Sequence, residues 1–156
     1  MKIKILSIGT KMPSWVNDGV SEYTKRLPKD MSFEIIELPL AARSKNADIK
    51  RLILKETESL LSHIQPQDHV IALEVKGQNW STEKLASNLE SWQMNGQNVI
   101  LLVGGPDGLG EACRERANQM WSLSALTLPH PIVRVVLAEQ IYRAWTVTQN
   151  HPYHRA

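Results

Sequence analysis

A cluster of glycines is the first stretch whose composition could bind a ligand. The sequence GGPDGLG, residues 104–110 and hereafter the glycine loop, follows a strongly apolar segment. In α/β proteins a loop in this place lies beyond the carboxyl end of a strand, where ligands bind. Its spacing matches neither G-x-G-x-x-G nor G-x-x-x-x-G-K-[ST], and it contains no lysine to hold a phosphate. Two interpretations stay open, a tight turn that needs positive φ and a ligand-binding loop.

A second candidate is His130, which stands between two prolines in the sequence LPHPIV. The prolines fix the local backbone and have no N–H to donate. A single histidine in such a place is either a buried structural residue or a positioned functional group. Arg134 follows one helical turn later, with Tyr142 and Arg143 farther along the same segment, and these neighbours favour a functional role.

The C-terminal tail, NHPYHRA at residues 150–156, concentrates polar and aromatic side chains. A chain terminus commonly frays in solvent. Tyrosine, however, can stack on a base, and arginine can pair with a phosphate or steady an anionic base. We therefore expect Tyr153, His154 and Arg155 to contact a substrate.

Positive charge is concentrated between residues 42 and 55, hereafter the basic segment. It carries Arg43, Lys45, Lys50, Arg51 and Lys55 against one acid, Asp48, although the net charge of the chain is only +2. Each cation alone could be a solvated charge at a helix start. The cluster as a whole favours contact with phosphates. Because the net charge of the chain is low, any binding of nucleic acid must come from such a local cluster.

Other classes of chemistry are poorly supported. No G-x-S-x-G elbow of a serine hydrolase is present. The five histidines lack zinc-type spacing apart from the weak pair in the tail, which has no nearby cysteine, so we assign no metal. The single cysteine, Cys113, rules out an intramolecular disulfide and is typical of a reducing compartment. With neither a signal peptide nor a membrane-length apolar stretch, the prediction is a cytoplasmic protein with no membrane partner.

The elements that must position these residues alternate along the chain, whose 156 residues suit one domain. Apolar runs predict strands over 2–9, 32–38, 69–75, 98–105 and 122–129. Helical spacing predicts helices over 14–27, 47–64, 81–96, 108–120 and 131–149. The alternation predicts an α/β fold with a parallel sheet flanked by helices. The last helix is apolar around more than one stripe, which predicts a second buried face and a homodimer.

Three segments together, LLVGGPDGL, WSLSALTLPHPIVRVVLAEQIYRAW and NHPYHR, resemble the bacterial SPOUT-class methyltransferases that modify 23S ribosomal RNA at N3 of a pseudouridine. The resemblance runs from IGTKMPSWV through RSKNADIKR and covers essentially the whole chain. It implies one domain over 1–156, a deep C-terminal trefoil knot, a homodimer and S-adenosylmethionine bound in the knot. The implied substrate is pseudouridine 1915 in the helix 69 loop, on the assembled ribosome and not on DNA. Knots are rare enough that residue patterns gave no reason to expect one.

The resemblance also assigns residues. It implies a cofactor pocket, rich in backbone donors and acceptors and apolar side chains, formed by Leu73, Gly104, Leu123, Ser124, Ala125, Leu126, Thr127 and Leu128. It implies RNA contacts by Arg43, Lys45, Lys50 and Arg51.

The reaction itself needs a base and an anion-stabilising group. N3 of a uracil-like ring is an imide that must lose its proton before it attacks, and neutral histidine can accept a proton while arginine stabilises the anion. We assign proton acceptance to His130 or His154, anion stabilisation to Arg134, Arg143 or Arg155, and placement of the base to Tyr153. The alternatives are a different RNA methyltransferase with the same cofactor and a dimeric ribosome-binding protein that uses the pocket as a sensor.

Overall fold

The polypeptide alternates strands and helices along residues 1–154, which are the residues that the structure, a computed structural model, describes. The strands are β1 (Lys2–Ile8), β2 (Ser32–Leu38), β3 (His69–Asn79), β4 (Val99–Val103) and β5 (Gln119–Ser122). The helices are α1 (Ser14–Thr24), α2 (Ile49–Leu61), α3 (Thr82–Met94), α4 (Glu111–Arg116) and α5 (His130–Thr148), and a short 3₁₀ helix spans Pro152–His154.

All five strands form one sheet in the order β2-β1-β4-β3-β5, and every neighbouring pair is parallel. The predicted α/β fold with a parallel sheet is therefore confirmed. A parallel arrangement brings the carboxyl ends of the strands to one edge of the sheet. The glycine loop after β4 and the segment after β5 consequently start at the same edge.

Each face of the sheet is covered by helices, which explains the continuous apolar runs in the sequence. Along β4, Val99 and Leu101 belong to the apolar cluster that includes residues of α3 and α5, whereas Ile100 and Leu102 belong to the cluster that includes residues of α2 and α4. This alternation follows from the two-residue period of a strand. The five residues of β4 are all buried.

Two predicted boundaries near the end of the sheet were wrong. The fifth strand lies at 119–122 instead of 122–129, and the preceding helix spans only 111–116 instead of 108–120. Asn118 explains the shift, because its N–H donates to the carbonyl oxygen of Val70 at 2.7 Å and its Oδ1 accepts from the N–H of Val70 at 2.8 Å. These bonds place Asn118 beside β3, where the strand starts. The pairing of β5 with β3 ends at Ser122, and residues 123–129 form an irregular connection.

The last helix was expected to need a second subunit to cover its apolar surface, and the structure corrects this argument. α5 packs against both α1 and α3, and a β-carbon on Gly19 of α1 would lie 3.2 Å from Val135. Helices of the same chain therefore cover much of the apolar surface that was expected to need a second subunit. Ile132, which is 37% exposed, is the most exposed large apolar residue of α5. The homodimer stays a prediction.

Candidate functional site

A cavity of about 270 Å³ opens at the carboxyl ends of β3, β4 and β5. Its walls come from three places: residues 73–75 of β3, the glycine loop after β4, and the irregular connection after β5. The beginning of α5 closes the remaining side with His130 and Val133. The cavity thus lies where α/β proteins generally bind their ligands.

Most of the residues assigned to cofactor binding surround this one cavity. Those that line it are Leu73, Gly104, Leu123, Ser124, Leu126, Thr127 and Leu128. Ala125 is exposed and is not among the lining residues. The connection that carries these residues is held in a turn, because the Ser124 hydroxyl accepts a hydrogen bond from the N–H of Leu126 at 2.9 Å. A loop, and not the strand predicted over 122–129, therefore presents these residues to the cavity.

Close backbone packing explains the first glycine of the glycine loop. A β-carbon at Gly104 would lie 2.6 Å from the carbonyl carbon of Gly108, a distance that side chains do not tolerate. The turn is closed by the N–H of Gly108, which donates to the carbonyl oxygen of Gly105 at 3.0 Å. Gly108 itself has φ of 82°. The loop is thus a tight turn and also a wall of the cavity, so the two interpretations of its glycines are compatible.

Five lining residues outside the glycine loop were not predicted from the sequence: Glu74, Val75, Val103, Trp121 and Val133. The rule that ligands bind at carboxyl ends of strands could have found Val103 and Glu74. Trp121 was missed because its strand was placed too late in the chain. It stacks on Trp80 with ring centroids 4.8 Å apart, and its own ring gives the cavity an aromatic floor.

His130 is the first residue of α5, is partly buried, and faces the cavity. Burial lowers its pKa below the ordinary value of 6.5, and the positive charge of Arg134 lowers that pKa further. A hydrogen bond with the backbone of Gly104 opposes these effects. At pH 7 the imidazole is therefore neutral and able to accept a proton.

Arg134 lies outside the cavity lining and is 2% exposed. Its Nη1 donates to Oε2 of Glu37 at 2.7 Å, and its Nη2 donates to the carbonyl oxygen of Gly9 at 3.0 Å. Its Nε is buried without a hydrogen-bond partner among the described residues. The guanidinium thus connects α5 to the ends of β1 and β2. From this buried position its positive charge lowers the pKa of His130.

Arg143 and Tyr153 form a separate cluster on the far part of α5. Arg143 donates through Nε to Oε1 of Glu139 at 2.8 Å, and the Tyr153 hydroxyl donates to the same oxygen at 3.0 Å. The guanidinium lies 5.0 Å from the centre of the Tyr153 ring. Burial, followed by the hydrogen bond and charge of Glu139, raises the pKa of Tyr153 to about 12, so the phenol stays protonated at pH 7.

Distance separates this cluster from His130 within one chain. The helical rise from residue 130 to residue 143 is about 20 Å. His154, whose Nδ1 is buried without a described partner, follows Tyr153 at the same end. Arg155 lies outside the described residues. One protomer therefore does not bring together all the residues to which we assigned catalytic roles.

The cations assigned to RNA contact differ in their surroundings. Lys45, Lys50 and Arg51 are exposed at the start of α2, which Asp48 caps by accepting from the N–H of Arg51 at 3.3 Å. Arg43 is only 20% exposed and pairs with Glu56 and Asp107. The three exposed cations can reach a phosphate, whereas the guanidinium of Arg43 is already engaged.

Within residues 1–154, no group of three or more histidine, cysteine, aspartate or glutamate side chains is arranged to hold a metal ion. In the same part of the chain, every helix is too short or too polar to cross a lipid bilayer.

Comparison with known proteins gives a consistent match along the chain. A family model described as "Predicted SPOUT methyltransferase" matches residues 1–154. A protein of Hahella chejuensis (strain KCTC 2396), named ribosomal RNA large subunit methyltransferase H, is 59% identical over 155 residues, which cover 99% of each chain. A protein of the same name from Marinomonas sp. (strain MWYL1) is 58% identical over 155 residues, covering 99% of this chain and all of that relative.

Proposed function

Because the chain belongs to the SPOUT methyltransferase family, we propose that it methylates N3 of pseudouridine 1915 in the helix 69 loop of 23S ribosomal RNA, with S-adenosylmethionine as methyl donor. The names of the two relatives support a substrate in large-subunit ribosomal RNA. The structural observation that carries the proposal is the apolar cavity with His130, a neutral base, in its wall.

The cavity suits an adenosyl sulfonium. Leucines of the connection after β5 and the aromatic floor at Trp121 offer apolar contacts to an adenine, and the backbone of the glycine loop offers hydrogen bonds. Among the described lining residues there is no lysine or arginine that would favour a triphosphate. When bound, the cofactor supplies a methyl group activated by the sulfonium charge. Leu73, Gly104, Leu123, Ser124, Leu126, Thr127 and Leu128 would hold it.

The protein's own task is to position the base and manage one proton. His130 accepts the N3 proton through its neutral imidazole, since burial and Arg134 keep its pKa low. His154 is the alternative acceptor. Removal of the proton leaves a negative charge on the pyrimidine ring, which a nearby guanidinium stabilises. Arg134, being buried and paired, positions α5 and His130, so Arg143 or Arg155 is the better candidate for contact with the anion.

A homodimer would bring a tail to each cavity although the two are far apart within one protomer. Within one protomer the cluster of Arg143 and Tyr153 lies about 20 Å along α5 from His130. We propose that the tail of one subunit completes the cavity of its partner, which would bring Tyr153 over the bound base. The Tyr153 phenol, protonated at pH 7, can then donate a hydrogen bond and stack.

The whole chain, residues 1–156, would form one knotted domain that acts in the cytoplasm. The path of the C-terminal part supports the knot. From β5 at the sheet edge, residues 123–129 pass beside the glycine loop toward α5. Arg134 of α5 then contacts Gly9, just after β1, and Glu37, near the end of β2. The small exposed patch of Lys45, Lys50 and Arg51 fits a large preformed target, the assembled ribosome.

The test is methyl transfer from labelled S-adenosylmethionine to ribosomes from a strain that lacks the modification, followed by mapping of the labelled base. Label at N3 of pseudouridine 1915 is the expected result. Label at another base would indicate a different RNA methyltransferase with the same cofactor. Binding to ribosomes and cofactor without transfer would indicate a sensor.

A further inference from the structure

Arg43 differs from its neighbours in the basic segment because it is held by carboxylates. Its Nη2 lies 3.3 Å from Oε1 of Glu56 and 3.0 Å from Oδ2 of Asp107, and its Nε donates to the same Asp107 oxygen at 3.1 Å. Its Nη1 donates to Glu56 and to the carbonyl oxygen of Ala41. We call this arrangement of Arg43, Glu56 and Asp107 the Arg43 bridge. A guanidinium suits it because its planar fork can serve several acceptors at once.

Glu56 explains why Arg43 cannot easily leave. The Glu56 side chain is 4% exposed, and a buried carboxylate needs a cation or several donors nearby. Apart from Arg43, it accepts a hydrogen bond from the N–H of Ala41 at 3.1 Å. Removal of the guanidinium to bind an RNA phosphate would leave this buried charge uncompensated, which is costly. Arg43 is therefore a poor candidate for a phosphate contact.

Asp107 connects the bridge to the cavity. It lies in the glycine loop between lining residues Pro106 and Gly108, and its side chain is 35% exposed. The loop also rests on α2 at two more points. A β-carbon at Gly105 would lie 3.2 Å from Oε1 of Glu56, and one at Gly110 would lie 2.2 Å from Oγ1 of the buried Thr57. α2 thus supports the loop on the side opposite the cavity, and the bridge is its charged attachment.

We propose that Arg43 is a positioning residue for the cofactor, fixing the glycine loop against α2 through Glu56 and Asp107, and not a contact to RNA phosphates. This role rests on the proposed function, since it assumes that the glycine loop binds S-adenosylmethionine. A loop held in its binding conformation loses less entropy when a ligand binds. Release of Asp107 therefore weakens cofactor binding even though neither Arg43 nor Asp107 lines the cavity.

The first measurement is cofactor affinity by calorimetry on the full-length protein, without ribosomes. We expect Asp107→Ala and Arg43→Ala to raise the dissociation constant of S-adenosylmethionine roughly tenfold, the scale of a charge-assisted hydrogen bond. Glu115→Ala, which removes an exposed acid from the neighbouring α4, is the matched control and should leave that constant unchanged. Asp107→Ala leaves the pair between Arg43 and Glu56 intact, so it tests the proposal even if Arg43→Ala folds poorly.

The second measurement separates positioning from RNA contact. Arg43→Lys keeps the charge but cannot serve both carboxylates in one fork, so it should not restore cofactor affinity. Ribosome binding by Arg43→Ala, which removes the charge, should nevertheless keep the wild-type dependence on salt if Arg43 makes no phosphate contact. Lys45→Ala should behave oppositely, with wild-type cofactor affinity and a reduced salt dependence of ribosome binding.

Wild-type cofactor affinity in Asp107→Ala would overturn the positioning role while leaving the proposed function in place. So would an Arg43→Lys variant that restores full affinity. A wild-type protein that fails to bind S-adenosylmethionine would overturn the proposed function, and this role with it.

Discussion

At the scale of single residues, burial decides which of the candidate side chains can act. His130 and Arg134 are one helical turn apart, yet the first lines the cavity and the second is 2% exposed beneath it. The sequence shows only that the two residues are four positions apart, and this spacing does not tell which of them faces the cavity. The difference arises because Arg134 meets Glu37 and the backbone of Gly9, contacts that join distant parts of the chain.

A pH profile tests the assignment of His130. Because its pKa lies below 6.5, the rate of methyl transfer should rise with pH through that lowered pKa and then level off as the neutral form saturates. His130→Gln should lose this acidic limb and reduce the rate by roughly 10²- to 10⁴-fold, the usual contribution of a general base. His63→Gln, at an exposed position just after α2, is the control and should keep the limb. An acidic limb unchanged in His130→Gln would transfer the role to His154.

Arg134 makes a contribution to stability that urea unfolding can measure. Arg134→Ala should lower the free energy of unfolding by about 2 to 4 kcal/mol, because the buried Ser7 hydroxyl and the partly buried Gly9 carbonyl lose their donor and a buried side chain is removed. Lys25→Ala removes an exposed partner of Glu22 and should change stability little. Equal effects of the two substitutions would contradict the structural role of Arg134.

At the scale of elements, the site is made by the connections that follow β4 and β5. The glycine loop is tight because the backbones of Gly104 and Gly108 approach each other closely. Hydrogen bonds between Asn118 and Val70 start β5 early, and its pairing with β3 stops at Ser122, opposite Asn79 at the end of β3, so the segment 123–129 is irregular. Because β5 ends at Ser122 and not at residue 129, the lining after it is a loop and not a strand.

Gly104→Ala probes the glycine loop directly. Its methyl group would meet the backbone of Gly108 at 2.6 Å, so we expect the loop to shift and cofactor affinity to fall more than tenfold. Gly96→Ala introduces strain at a φ of 64° in a turn away from the cavity, and it should cost stability without changing cofactor affinity. Cofactor affinity equal to wild type in Gly104→Ala would show that the close approach is dispensable.

At the scale of the whole molecule, the division of the candidate residues between two ends of α5 points to cooperation between subunits. Removal of residues 151–156 by truncation after Asn150 should abolish methyl transfer and preserve cofactor binding. The tail packs on α5, beyond the lining of the cavity, so its removal leaves the cavity intact. Full methylation by the truncated protein would contradict any role of the tail.

Mixed dimers determine which subunit's tail is used. A dimer that pairs an inactive His130→Gln chain with a truncated chain contains one intact site only if each tail serves the partner's cavity. We expect co-expressed, doubly tagged heterodimers to regain up to about half of the wild-type rate, because one of two sites is restored. If purified heterodimers bind cofactor normally but do not regain methyl transfer, the tail serves the cavity of its own subunit.

The sequence by itself determined the α/β class, because alternating apolar runs and helical periods depend only on local spacing and burial. It also pointed to much of the cavity lining: residue types singled out the glycine loop and His130, and the resemblance added Leu73 and the residues after β5. Tertiary structure alone decided that Arg43 is bound by Glu56 and Asp107, that Arg134 is buried, and that β5 begins at Gln119. Each of these results depends on partners far away in the chain, such as Asp107 for Arg43 and Val70 for Asn118. A charge or an amide has the same local pattern whether it faces water or a distant partner, and only the folded chain brings that partner within hydrogen-bonding distance.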